Sequence, residues 1–156
     1  MRPSGIRKMN NLRAAFDHID HLRKRQVHVS LCQYALDVWE AYAQQHAPIE
    51  YIDSVVGMCH RVDIALPRAA FASVQSSDRA DVAQRYLEPI AALQDNDLVF
   101  PGSIEMAYYA IYNLYRKYIE GAAIDDWLIV NQALSAESDP AQWRILLMDA
   151  LCQAQV

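Results

Sequence analysis

The chain has 156 residues, 53% apolar and 21% charged, with a formal net charge of -5. That length suits one domain with its own hydrophobic core, and the composition excludes a disordered chain. Four glycines in the whole chain are few for a β-rich fold with its many turns, so the expectation is an all-α fold, a single compact multi-helix domain of about seven or eight helices.

Residues 1–9 read as a flexible N-terminus and 10–155 as the helical domain, with Asn10-Asn11 as a natural cap. A first helix is predicted over Leu12–Arg25, with Leu12, Ala15, Phe16, Ile19 and Leu22 inward. A second is predicted over Val27–Gln45, with Leu31, Ala35, Val38, Trp39 and Tyr42 inward. The break near Gln26 lacks a strong turn residue, so one kinked helix is the alternative. Pro48 suits the first turn of a third helix carrying Ile49, Ile52, Val55, Val56 and Cys59 on one face. Pro67 begins a short fourth helix, Arg68–Val74.

Ser76-Ser77-Asp78 then caps a fifth helix, with Val82, Tyr86, Leu87 and Ile90 inward and a kink at Pro89. Asp95-Asn96-Asp97 is a polar turn. Ser103–Glu120 is the most periodic segment, and Gly121 is placed just past its end. Five tyrosines fall within its 11 residues from Tyr108 to Tyr118, a stripe that reads as core with hydroxyls at the rim. Asp125-Asp126 opens a helix over Trp127–Leu134. Asp139-Pro140-Ala141-Gln142 is a capping box for the last, in which Trp143, Leu146, Leu147, Ala150 and Leu151 face inward.

Charge is distributed unevenly. Residues 1–25 carry seven of the 14 Lys and Arg and only two carboxylates, which leaves -10 on the remainder. Such a body repels nucleic acid and membrane phosphate and attracts a basic partner. The apolar runs fall well short of the ~20 residues of a membrane span. No apolar stretch follows the basic residues at Met1–Lys8, so no secretory signal is read. Three widely spaced cysteines, Cys32, Cys59 and Cys152, read as reduced thiols. A cytoplasmic location is the simplest expectation.

Motifs for catalysis are weak. His18 and His21, spaced i, i+3, invite a metal, but neither Glu-x-x-His nor Cys-x-x-Cys supplies further ligands. The carboxylate pairs Asp78/Asp81, Asp95/Asp97 and Asp125/Asp126 sit at expected helix starts or turns, where carboxylates cap free N–H groups. No cofactor, metal or catalytic residue is expected. Binding of another protein is the expected activity.

The stretch from Ser103 to Asn113 (SIEMAYYAIYN), followed by Gly121–Trp127 (GAAIDDW) and Asn131–Leu134 (NQAL), resembles bacterial polymorphic-toxin immunity proteins. These are the small cytoplasmic antidotes of contact-dependent growth inhibition and related systems. The likeness covers about a third of the chain and is compositional: an Ala/Tyr-rich helix, a short acidic loop and a Trp-bearing helix. It implies neutralisation of one cognate toxin by tight binding that blocks the active site. A nuclease toxin with a basic cleft would be met by acidic groups that mimic phosphate. The resemblance brings no residue-level site. Ranked by charge and expected exposure, the candidate partner-binding residues are Asp95, Asp97, Glu120, Asp125 and Asp126, with Tyr109 and Tyr118 as aromatic anchors. A helical adaptor or chaperone for another protein, and a small ligand- or metal-binding helical domain, are the alternatives.

Overall fold

A computed structural model describes residues 4–76, 82–95 and 97–154, with side chains from residue 9 onward. Among them the chain forms seven α-helices: α1 (Ser4–His18), α2 (His21–His46), α3 (Leu66–Ser76), α4 (Ala83–Gln94), α5 (Gly102–Tyr118), α6 (Asp126–Ser135) and α7 (Trp143–Ala154). Two three-residue strands, β1 (Glu50–Ile52) and β2 (Cys59–Arg61), form an antiparallel hairpin between α2 and α3. The all-α class therefore holds, with one small addition.

The centre is α5, which packs against α2, α3, α4 and α6. It buries Ile104, Ala107, Tyr108, Ala110, Ile111, Leu114 and Tyr115, most of its circumference. Trp39 of α2 meets Tyr108 edge-on at 4.9 Å and Phe100 at 5.4 Å, and its Nε1–H donates to the Ile64 carbonyl at 3.1 Å. Tyr86 of α4 stacks on Tyr112. Full burial of one such side chain contributes about 1.5–3 kcal/mol, so this aromatic cluster is a principal element of the core. α7 covers α2, and α1 lies on α7.

The helix starts follow side-chain caps. Asp125 accepts the Trp127 N–H at 2.8 Å and opens α6. Asp139 accepts the Ala141 N–H at 3.0 Å, but the turn it caps, Pro140–Gln142, is a 3₁₀ turn that leads into α7. Gly121 takes φ +71°, two residues beyond the cap of α5 at Ile119.

Four expectations are corrected. The first helix begins at Ser4, ahead of the Asn10-Asn11 cap. The first two helices break at Ile19-Asp20, where Asp20 caps α2 by accepting the Arg23 N–H at 2.9 Å. That break shifts the phase, so Ala15 and Leu22 are exposed rather than inward. The segment after Pro48 is a hairpin, not a helix. Its β-branched residues favour strands. The Asp53 carboxylate accepts the Val55 and Val56 N–H groups at 2.8 and 3.4 Å, which folds the turn, and Gly57 at φ +72° completes it. Leu87 is half exposed, while α4 continues through the buried Pro89 to Gln94. The expected cap at Ser77-Asp78 and the pair Asp78/Asp81 lie outside the described residues, as does Asn96.

Candidate functional site

The hairpin stands against the C-terminal half of α4, and between them lies a cleft of about 210 Å³. Tyr51, Asp53, Ser54, Val55 and His60 form one wall. Glu88, Ala91, Ala92, Asp95 and Asp97 form the other. Alternation along paired strands explains the first wall: Tyr51 and His60 are register partners and so project to the same face of the hairpin. Their rings stack with centroids 5.2 Å apart. His60 Nε2 lies 3.6 Å from an Asp53 carboxylate oxygen.

The second wall follows from helix geometry, since Glu88, Ala91, Ala92 and Asp95 are three or four residues apart and share a face of α4. The two alanines leave room for the cleft. Four carboxylates, those of Asp53, Glu88, Asp95 and Asp97, therefore surround one aromatic floor. Asp53 is held below the usual carboxylate range, chiefly by the Val55 N–H and also by Val56 and His60. Partial burial raises the Tyr51 hydroxyl, and the charges of Glu88 and Asp53 raise it further. Glu88, Asp95 and Asp97 form no ion pair among the described residues.

Beside this cleft the hairpin tip is apolar and open to solvent. Val55 is 90% exposed, Val56 70%, Ile52 61% and Met58 58%. Only Ile49 and Val62, at the base of the hairpin, are buried. Scattered exposed apolar residues are ordinary, but four within seven residues are a patch.

The candidate residues from the sequence separate into two groups. Asp95 and Asp97 belong to the cleft. Tyr118, Glu120, Asp125 and Asp126 gather at the opposite end of α5, which at about 1.5 Å per residue is roughly 25 Å long. There Tyr118 and Asp126 are engaged inside the molecule. The Tyr118 hydroxyl lies 2.7 Å from His28 Nδ1, and the Arg25 guanidinium sits 5.2 Å from its ring. The Asp126 carboxylate pairs with Lys117 at 2.8 Å and Lys24 at 3.8 Å. Burial opposes ionisation of Asp126, but these cations outweigh it and hold its pKa low. Asp125 caps α6, Glu120 is exposed, and Tyr109 is half buried on α5. His18 and His21 are on different helices across the Asp20 break. No group of three or more potential metal ligands converges among the described residues.

Sequence reasoning missed two features. Ile52, Val55 and Val56 were expected inward, and the signal that places them outside is β-branching beside Asp53 and Gly57. His28, fully buried, also donates to or accepts from two partners, Tyr118 and the Asp126 carbonyl at 2.7 Å. Its signal is its place beside Val27, three and four residues before Leu31 and Cys32.

No protein-family model, curated protein or solved structure matches the chain.

Proposed function

We propose that this protein is an immunity protein that neutralises a cognate bacterial toxin in the cytoplasm by tight protein–protein binding, occluding the toxin's active site. The observation that carries the proposal is the pairing of an exposed apolar hairpin tip with a cleft walled by four carboxylates. Desolvation of apolar area supplies affinity, and a fixed negative field speeds association with a basic surface. A toxin that cleaves nucleic acid presents such a basic surface where its substrate phosphates bind. The likeness to immunity proteins at Ser103–Asn113 and Gly121–Trp127 supports the same reading. Those residues form α5, the loop after it and the start of α6, so they are scaffold more than contact surface.

The test is capture of partners on the immobilised full chain, followed by expression of each partner's terminal domain in cells. Killing by one captured domain that is reversed by co-expression of this chain supports antidote function. Captured partners that kill nothing, or that kill regardless of this chain, refute it and favour a helical adaptor.

A further inference from the structure

We infer that the hairpin tip and the adjoining cleft together receive an extended segment of the partner in which a Lys or Arg is flanked by apolar side chains. The inference rests on the antidote reading and names the chemistry that its contact surface selects. A basic side chain entering the cleft meets Asp53, Glu88, Asp95 and Asp97 around the stacked Tyr51–His60 pair. An aromatic floor with carboxylate walls suits a guanidinium or ammonium group, which gains cation–π and charge-assisted contacts together. Val55 lines the cleft and is also the most exposed residue of the tip, so the charged site and the apolar site share a border. A segment with its basic residue in the cleft therefore places the neighbouring side chains over Val55 and Val56.

Charge decides between occupants. A second copy of the body would bring its own acidic cleft against this one, and like charges close together disfavour that pairing. An anionic bilayer is repelled for the same reason. A basic and apolar segment satisfies both halves of the surface.

The direct test is titration of the ¹⁵N-labelled full chain with three short synthetic peptides: one alternating Arg with Val, one alternating Glu with Val, and one alternating Arg with Gly. The expected result is amide shifts confined to residues 50–61 and 88–99, with the Arg/Val peptide binding about tenfold or more tightly than either control. Val55→Ser/Val56→Ser and Glu88→Gln/Asp95→Asn should each weaken that peptide by about tenfold. All four positions are exposed, so both variants should keep the wild-type melting temperature. Equal binding of the Glu/Val peptide, shifts scattered over the molecule, or no binding overturns the inference. Shifts of the same amides on raising the concentration of the free chain also overturn it, in favour of a second copy.

The growth-rescue assay separates the two claims. Loss of rescue in both variants supports the segment inference. Rescue by wild type and equally by both variants sinks it and leaves the antidote reading intact. No rescue by wild type against any captured domain sinks the antidote reading itself.

Discussion

The imidazole of His28 and the hydroxyl of Tyr118 meet at 2.7 Å, ninety residues apart in sequence, and tie the middle of α2 to the last turn of α5. The other ring nitrogen, Nε2, reaches the Asp126 carbonyl at 2.7 Å, so one buried side chain joins three helices. Phe16 closes over the ring from α1, with centroids 5.6 Å apart.

Burial pushes the His28 pKa down from 6.5 to about 4; the Asp126 carbonyl and carboxylate oppose this, while Lys117 and Lys24 add to it. The folded protein thus declines a proton that the unfolded chain accepts. Stability is full above the ordinary value, falls as the pH drops through the window from 6.5 to about 4, and is not lowered further by this group below it. At about 1.4 kcal/mol per unit the loss is about 3 kcal/mol. Urea unfolding near neutrality and at about pH 4.5 measures it. His28→Gln should unfold more easily at neutral pH but lose less on acidification. Equal losses in both proteins would mean that His28 is charged in the fold.

Tyr118→Phe keeps the ring and leaves His28 Nδ1 buried beside nothing polar. The expected cost is about 1–3 kcal/mol in urea unfolding. An unchanged midpoint would show that water replaces the hydroxyl.

Tyr108 gives the opposite expectation. Its hydroxyl is buried and has no hydrogen-bond partner. Tyr108→Phe removes an unsatisfied group while preserving the edge-on contact with Trp39. Stability should stay level or rise by about 1 kcal/mol. A loss of that size would reveal a partner for the hydroxyl.

The three thiols should separate cleanly. Cys59 and Cys152 are exposed, whereas Cys32 is buried and burial raises its thiol far above the usual range. A thiol-reactive dye should label two cysteines in the native protein and the third only in denaturant. Native labelling of Cys32 would mean that the α2–α5 interface opens on the timescale of the reaction.

The hairpin should divide energetically between base and tip. Val55→Ser/Val56→Ser is expected to shift stability by no more than about 0.5 kcal/mol. Ile49→Ala, at the buried base, should cost about 2 kcal/mol or more. A large cost at the tip would place those residues against the body in solution.

Much of the fold was legible because local chemistry and tertiary packing agree. Asp125 and Asp139 do cap by accepting backbone N–H groups, and Gly121 does adopt positive φ. The tyrosine stripe of α5 is core, as its spacing indicates. The errors arose where periodicity misleads. Ile49, Ile52 and Val55 recur every three residues, which imitates a helix face, yet Asp53 and Gly57 build a turn between them. Asp20 falls inside an apolar pattern that runs on past it, so its capping role was hidden. Asp95 and Asp97 were legible as turn carboxylates, but the cleft needs the hairpin opposite them. Asp126 and Tyr118 carry the right chemistry for a surface and are instead held by Lys117 and His28, contacts between residues too distant in sequence for any pattern to show.

The hairpin joins the helical body only where Ile49 and Val62 enter it, and the residues between Asp53 and Met58 lean on nothing. Mutational drift at the tip is then thermodynamically silent, whereas drift in α5 is not. A chain organised this way can trade one recognition surface for another without renegotiating its interior, so partner choice and foldability are free to evolve on separate schedules.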